Sequence, residues 1–161
     1  MTHTNGRTRV LFVCLGNICR SPVAENVFRH LVEEAKLADR FEIDSAGTGS
    51  WHVGERPDAR AAEVARARGI ELRGRARQVT EGDLVTFDYV LAMDRDNLRE
   101  LERLARGGHA TARIELLRAY DPSPDGADVP DPYYGGPAGF ENVFEIVSRS
   151  CRSLLASISG T

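Results

Sequence analysis

The residues best suited to chemistry lie close to the N-terminus, in the octet CLGNICRS at residues 14–21. The octet follows a short apolar run and precedes a segment with helical periodicity. Gly16 and Asn17 tolerate unusual backbone angles, so a tight loop here can turn successive N–H groups toward one point at the start of a helix. The octet therefore predicts a loop that binds a tetrahedral anion such as phosphate.

The octet also contains a thiol and a guanidinium group. Cys14 ends the apolar run, and the helix N-terminus, Arg20 and the Ser21 hydroxyl would all favour its nucleophilic thiolate form. The planar side chain of Arg20 can bind two phosphoryl oxygens at once. The nucleotide-binding pattern Gly-x4-Gly-Lys is absent. These residues predict phosphoryl transfer to sulfur, and the alternative is a cysteine that merely ends a buried strand.

Phosphoryl transfer also needs an acid that protonates the leaving oxygen. The candidate is Asp131, which lies between two prolines in the sequence VPDPYYG at residues 129–135. The alternative is an aspartate that only begins a turn, since Asp-Pro does so readily. Asp121 precedes a proline in the same way, and Asp125 and Asp128 lie in the same stretch. We therefore expect Asp131 to be the acid and Asp121 to be a turn residue.

The elements that must position these residues alternate between strands and helices. Apolar stretches predict four short strands, at residues 9–14, 40–45, 89–93 and 113–117. Helical periodicity and capping residues predict helices at 58–68 and 94–106, a short helix that begins at Thr80, and a last helix that carries a long apolar stripe from Phe140. A loop without secondary structure is expected at residues 119–137. Such alternation predicts a parallel sheet with the site beyond the carboxyl ends of its strands.

The first helix is predicted to begin directly behind the octet. Ser21 is a preferred N-cap residue and Pro22 a preferred first helical residue. Apolar residues then recur at helical spacing from Val23 to Ala35. We therefore expect Ser21 to cap a helix whose N-terminus faces the bound anion.

Composition excludes several classes of protein. The chain has 161 residues, which suits one domain, and its net charge of −3 argues against a generally basic nucleic-acid binder. The longest apolar run, residues 10–15, is far shorter than the roughly 20 residues of a membrane-spanning helix, and the polar N-terminus does not resemble a signal peptide. Three cysteines do not make a disulfide scaffold. We expect a cytoplasmic protein without nucleic-acid or membrane partners, and export without a classical signal stays open.

Taken together, the motifs resemble one family along the whole chain. The octet with SPVAE behind it, and DPYYG near the C-terminus, look like the low-molecular-weight protein tyrosine phosphatase family. The segments IDSAGT, RQVT and FDYVLAMD are similar to family segments in the same order. The resemblance implies a single doubly wound α/β domain over residues 1–161, with a four-stranded parallel sheet, helices on both faces and a flexible tail at residues 1–8. It further implies hydrolysis through a phosphocysteine, with no metal and no cofactor.

The resemblance also assigns roles to individual residues. Cys14 is the nucleophile, Arg20 binds phosphate, and Asp131 is the acid and then the base. Substrate binding is expected at the other octet residues and at three aromatic residues that would form the pocket walls: Leu15, Gly16, Asn17, Ile18, Cys19, Ser21, Trp51, Tyr133 and Tyr134. Ser21 would support the thiolate. Asn17 would hold the strained loop together with Ser45, and the alternative for Trp51 is a partly buried core residue.

One position departs from the family pattern. Many members have a histidine shortly before the RQVT segment, and Gly74 stands there in this chain. Part of the network that supports the loop is therefore in question, although the chemistry is not.

The remaining cysteines and the histidines have simpler interpretations. In the family reading, Cys19 is a resolving thiol that traps oxidised Cys14 as a disulfide, and the alternative is a residue that packs the loop. Cys151 lies on the apolar stripe of the last helix and is expected to fill the core. No histidine has metal-ligand spacing with a cysteine, so we expect no metal site.

Three alternatives to a tyrosine phosphatase stay open. An arginine phosphatase of the same fold tends to carry threonine where Ile18 stands and to lack the tyrosine pair at residues 133–134. An arsenate reductase would need further cysteines downstream, close together. A phosphotyrosine-binding module would be expected to lose one of Cys14, Arg20 and Asp131. We therefore expect a monomer that acts on phosphotyrosine-containing proteins and binds phosphate or other oxyanions in the loop.

Overall fold

Parallel strands form the centre of the fold. The computed structural model describes residues 6–123, 126–132 and 136–160, and in this part of the chain it has four strands. They are β1 (Thr8–Cys14), β2 (Phe41–Gly47), β3 (Tyr89–Ala92) and β4 (Arg113–Leu116), in the order β2-β1-β3-β4. All three neighbouring pairs are parallel. The predicted four-stranded parallel sheet is confirmed.

Helices cover both faces of this sheet. The structure has α1 (Arg20–Glu34), α2 (Ala59–Ala67), α3 (Asp83–Thr86), α4 (Arg95–Arg106) and α5 (Pro137–Ser159), with 3-10 turns at Ala38–Arg40 and Leu117–Tyr120. Val10 and Phe12 of β1 pack with residues of α1 and α5, whereas Leu11 and Val13 pack with residues of α3 and α4. Alternate side chains of one strand therefore enter two separate cores, which is why β1 is apolar without interruption.

The capping residues act largely as their sequence predicts. Asp58 accepts a hydrogen bond from the Arg60 amide at the start of α2, and Asp94 accepts one from the Asn97 amide at the start of α4. The short helix predicted to begin at Thr80 begins three residues later, at Asp83, although Thr80 and Asp83 do exchange hydrogen bonds between side chain and backbone amide.

Two further predicted boundaries, at the N-terminus of α1 and of β1, are wrong. Helix α1 begins at Arg20, with Cys19 in the cap position and no side-chain cap, because the Ser21 hydroxyl is engaged by Cys14 and Asn17 instead. Thr8 does not belong to a tail at residues 1–8, because it is buried, pairs with Phe41 and begins β1. Residues 1–5 lie outside the described part of the chain.

The C-terminal part of the chain closes one face of the sheet. The predicted loop at residues 119–137 is regular at its start, where a 3-10 turn continues to Tyr120. Helix α5 then runs for 23 residues, and its apolar stripe is buried against α1 and β1. Among the described residues, no helix combines the length and the apolar character that crossing a membrane would require.

Candidate active site

The octet forms a tight loop at the carboxyl edge of the sheet. Residues 14–21, hereafter the phosphate loop, connect the last residue of β1 to the first turn of α1. Asn17 adopts a left-handed φ of 57°, a conformation that asparagine tolerates better than most residues. The end of β2 lies very close by, since a Cβ at Gly47 would come within 2.7 Å of the Leu15 carbonyl oxygen. The loop can therefore turn this sharply only because a glycine stands opposite it.

Hydrogen-bond donors converge on the sulfur of Cys14. The Ser21 hydroxyl lies 3.0 Å from Sγ, and the backbone N–H of Asn17 donates to Sγ at 3.3 Å. The Ser21 oxygen accepts a hydrogen bond from the Asn17 amide group at 2.8 Å, and the Ser21 hydroxyl also lies within 3.4 Å of the Ala46 carbonyl oxygen, which makes a weaker contact than the sulfur at 3.0 Å. The N-terminus of α1 adds its positive end. These groups are therefore placed where they can contact the Cys14 sulfur when it acts as a nucleophile.

A buried chain of hydrogen bonds supports the loop from behind. The Asn17 amide also donates to Ser45 Oγ at 3.0 Å, as the sequence predicts, and its carbonyl oxygen accepts from the Arg77 backbone N–H at 3.0 Å. Ser45 Oγ donates to Glu25 at 2.6 Å, and Glu25 forms an ion pair with Arg29. The conformation of Asn17 is thus fixed from two sides.

Sequence reasoning missed Glu25 in this chain of contacts. The sequence feature that could have identified Glu25 is a carboxylate one turn into the apolar first helix, and in the structure this residue is only 8% exposed. Gly74 stands nearby with a left-handed φ of 101°. In this chain the Ser45 hydroxyl therefore donates to the Glu25 carboxylate, and Gly74 adds no side chain to the network.

Arg20 connects the phosphate loop to two other parts of the molecule. Its buried guanidinium donates to Asp94 Oδ2 at 2.7 Å and to the Val129 carbonyl at 3.0 Å. Burial alone would lower the pKa of Arg20, but the neighbouring Cys14 sulfur and then Asp94 outweigh it, so the pKa is raised. Sequence reasoning also missed Asp94, which caps α4 with its second oxygen. Arg20 is therefore held in place as a permanent cation.

The loop opens into a cleft of about 190 Å³. Its lining combines the thiol, the guanidinium and the carboxylate named from the sequence with apolar and aromatic groups: Cys14, Leu15, Gly16, Ile18, Cys19, Arg20, Trp51, His52 and Asp131. Asn17 and Ser21 do not line it, because both are buried behind Cys14. A larger cavity of about 510 Å³ between α2 and α5 contains none of these side chains, so we place the site in the smaller cleft.

Aromatic groups stand at the rim of the cleft. Trp51 is 71% exposed, so the alternative of a core tryptophan is wrong. His52, which sequence reasoning did not select, lies over Gly16, and its Nδ1 is 3.0 Å from a Glu55 carboxylate oxygen. Tyr133 and Tyr134 lie outside the described residues.

The aspartates of the late loop differ sharply in their surroundings. Asp131 faces the cleft, whereas the Asp121 side chain is fully buried between Arg118 and Arg149. Burial alone would raise the pKa of Asp121, but hydrogen bonds from Arg149, the Ser123 amide and Arg118 hold it below its usual range. An aspartate held ionised and away from the cleft cannot supply a proton there. Asp125 lies outside the described residues.

The three cysteines are reduced and buried. Cys19 lines the cleft in the cap position of α1, in the same loop as Cys14. Cys151 is fully buried, with its sulfur 3.8 Å from the Ala24 carbonyl oxygen, and burial raises its pKa. The expectation that Cys151 fills the core is confirmed. Across the described residues, no three His, Cys, Asp or Glu side chains form a group that could hold a metal ion.

Comparison with known proteins agrees with this geometry. The family model for low molecular weight phosphotyrosine protein phosphatase matches residues 9–161. A phosphatase of that name from Sus scrofa is 47% identical over 150 residues, which are 92% of this chain and 94% of the relative. The crystal structure of YfkJ from Bacillus subtilis superposes with a TM-score of 0.90 at 45% identity and covers 98% of both chains. A Drosophila arginine phosphatase structure has a TM-score of 0.88 at 38% identity, over 92% of this chain and 96% of that one. The chain belongs to the low molecular weight phosphotyrosine protein phosphatase family.

Proposed function

We propose that this chain is a metal-independent protein tyrosine phosphatase that hydrolyses aryl phosphate monoesters through a phosphocysteine. The observation that carries the proposal is the convergence of Ser21 Oγ and the Asn17 N–H on the Cys14 sulfur, inside a cleft that Arg20 and Asp131 also line. The thiolate is the nucleophilic form of a cysteine, and these contacts are the kind that bind it. Membership of a family of phosphotyrosine phosphatases supports the same substrate class.

The first step transfers the phosphoryl group to sulfur. Cys14 Sγ attacks phosphorus as the bond to the aryl oxygen breaks, and the Asp131 carboxyl gives its proton to that oxygen. Arg20 and the inward N–H groups of the phosphate loop bind the phosphoryl oxygens, where charge accumulates in the transition state. The products of this step are a phenol and a phosphocysteine.

The second step returns the enzyme to its starting state. The Asp131 carboxylate takes a proton from water, and the water oxygen attacks phosphorus as the S–P bond breaks. Inorganic phosphate leaves and the thiolate is restored. Besides the substrate, the two steps consume only one water molecule.

The shape of the cleft supports an aryl substrate. Leu15, Ile18 and Trp51 provide apolar walls around a polar floor, which suits a flat ring that carries a phosphate group. The protein partners are then phosphotyrosine-containing proteins. We further propose that residues 1–161 act as one domain, as a monomer in the cytoplasm.

Three substrates test the proposal and separate it from its nearest alternative. We expect rapid hydrolysis of para-nitrophenyl phosphate and of a phosphotyrosine peptide, and slow hydrolysis of a phosphoarginine peptide. Similarity to a Drosophila arginine phosphatase makes the third substrate necessary. Preference for phosphoarginine would establish the alternative, and binding of the phosphotyrosine peptide without turnover would leave only a binding module.

Cys14 and Cys19 also support a reversible redox switch. Peroxide would oxidise the Cys14 thiolate to a sulfenic acid, and the Cys19 thiol would then attack that sulfur, form the S–S bond and release water. Closing so short a loop costs little entropy. We expect a Cys14–Cys19 disulfide by mass spectrometry and recovery of activity with a thiol reductant. A Cys14 sulfinic acid without disulfide, or equal recovery in Cys19→Ser, would argue against it.

A further inference from the structure

Three side chains form a buried ionic group beside the late loop. Asp121 and Arg118 have side chains that are 0% and 2% exposed. Arg118 Nε donates to Asp121 Oδ2 at 3.0 Å, and from the other side Arg149 donates to Asp121 Oδ1 at 2.8 Å. Arg149 already provides a positive charge beside the buried Asp121. Charge balance alone therefore does not explain why Arg118 is buried against Asp121 as well.

The further contact of Arg118 points toward the catalytic cleft. Its NH1 donates to the backbone carbonyl of Asp128 at 2.9 Å. Asp128 begins a short stretch, residues 128–132, hereafter the acid segment, that ends just beyond Asp131. Because NH1 is held by a guanidinium whose other nitrogens bind Asp121, its direction is fixed.

The beginning of the acid segment is anchored at further points. The Asp128 carboxylate accepts from the Arg95 backbone N–H at 3.0 Å. Val129 is fully buried, and its N–H donates to the Met93 carbonyl at 2.7 Å. The Val129 carbonyl accepts from Arg20, as described above. Residues 128 and 129 therefore have a defined position relative to β3 and the phosphate loop.

The rest of the acid segment has little freedom of its own. Pro130 and Pro132 flank Asp131, and each proline fixes its own φ and restricts the residue before it. Pro132 packs closely on α5, since a Cβ at Gly139 would come within 3.1 Å of its carbonyl oxygen. A displacement of the Asp128 carbonyl is therefore transmitted to Asp131.

We propose that Arg118 is a positioning residue for the general acid. Its guanidinium group, oriented by Asp121, holds the Asp128 carbonyl and thereby fixes the position of the Asp131 carboxyl group in the cleft. The inference rests on the proposed function, in which Asp131 protonates the leaving oxygen. An acid that is misplaced by about 1 Å can cost on the order of 10²-fold in rate.

The test compares two leaving groups in three variants. Phenyl phosphate needs its leaving oxygen protonated, whereas para-nitrophenyl phosphate needs this much less. We expect Arg118→Met to lower kcat/KM, which reports the step in which the leaving oxygen departs, by about 10- to 100-fold for phenyl phosphate and by no more than a few-fold for para-nitrophenyl phosphate. Arg118→Lys should fold, because it retains an ion pair with Asp121, and should show the same split, because one ammonium does not reproduce the fixed fork.

Arg149→Met is the matched control. It removes the other guanidinium that binds Asp121, and Arg149 bonds to the carbonyl of Ser123 rather than to that of Asp128. We expect Arg149→Met to lower the midpoint of urea unfolding and to change the activity toward the two substrates by the same factor. If Arg149→Met slowed phenyl phosphate more than para-nitrophenyl phosphate to the same extent as the Arg118 variants do, Arg118 would have a purely structural role and the proposal would be overturned.

Two further measurements make the result decisive. In an Asp131→Asn background, Arg118→Lys should cause no further loss with phenyl phosphate, because both changes act on the same proton transfer. Hydrogen exchange at the Val129 amide should be faster in Arg118→Lys than in the parent, while the amides of β1 are unaffected. Additive losses or unchanged exchange at Val129 would overturn the inference. An inactive parent enzyme would instead refute the proposed function, and exchange at Val129 would still decide whether Arg118 holds the segment.

Discussion

The phosphate loop and the acid segment reach the same cleft by different means. In the loop, the sulfur of Cys14 is surrounded by groups only three and seven residues away along the chain, on Asn17 and Ser21. The acid segment is held mainly by groups from distant positions, among them the Met93 carbonyl and Arg20, which lies 109 residues from Val129. The nucleophile is thus prepared by contiguous sequence, whereas the acid is placed by folding. Arg20 belongs to both regions, because it begins α1 and binds the Val129 carbonyl.

The largest effect is expected where the loop loses its nucleophile. Cys14→Ser should abolish turnover of para-nitrophenyl phosphate, because nothing in the loop deprotonates a hydroxyl, while phosphate affinity by calorimetry stays close to that of the parent. Cys151→Ala, which changes a buried cysteine on α5, is the control and should remain active. Substantial turnover by Cys14→Ser would show that the sulfur does not form the covalent bond.

Removing the acid should give a loss that depends on the substrate. Asp131→Asn should slow hydrolysis of phenyl phosphate by on the order of 10²- to 10⁴-fold and that of para-nitrophenyl phosphate by much less, because the first leaving group needs the proton more. Steady-state kcat/KM for the two substrates measures the difference, because it excludes the hydrolysis step that both substrates share. Asp96→Asn, a highly exposed change on α4, should match the parent. Equal losses for both leaving groups would make Asp131 a loop-shaping residue.

Arg20 tests the point where the two regions meet. Arg20→Lys should lower kcat/KM by about 10²- to 10³-fold, nearly as much as Arg20→Ala, because a single ammonium cannot grip two phosphoryl oxygens and also bind Asp94 and the Val129 carbonyl. Kinetics with para-nitrophenyl phosphate and the affinity for phosphate provide the measurement. Near-normal values in the lysine variant would place Arg20 outside the reaction.

The smallest effect concerns stability in acid. The pKa of Asp121 is held below its unfolded value of 3.8, so its contribution to stability is fully present above that pH and is lost as pH falls through the lower folded pKa. Asp121→Asn should therefore be less stable than the parent at pH 7, and the gap should narrow below about pH 3.8. Urea unfolding at both pH values measures it. A gap that does not change with pH would show that the charge of Asp121 is unimportant.

This last variant also corrects an expectation drawn from sequence. Asp121 had the character of an ordinary turn residue, which would make Asp121→Asn a harmless control for Asp131→Asn. The structure shows a buried carboxylate between two guanidinium groups, so the substitution would disturb the anchor of the acid segment.

The order of the elements and the residues of the phosphate loop could be predicted from the sequence alone. The proposed nucleophile Cys14 and the cation Arg20 both lie in the octet at residues 14–21, because the contacts that form this loop are local. The apolar run of β1 and the caps at Asp58 and Asp94 act within a few residues, so their consequences can be read along the chain. In the phosphate loop the prediction that Ser21 caps α1 failed, because its hydroxyl contacts the Cys14 sulfur and the Asn17 amide instead.

The contacts between residues that lie far apart in the chain could not be predicted from the sequence. Asp94 lies 74 residues from its partner Arg20, and no local pattern announces that pair. Asp121 and Asp131 look alike in sequence, since each precedes a proline. In the structure Asp121 is buried between Arg118 and Arg149, whereas Asp131 faces the cleft. The opposite charges of Arg149 and Arg118 outweigh the burial of Asp121 and hold its pKa below the usual range, and these groups are brought together only by folding.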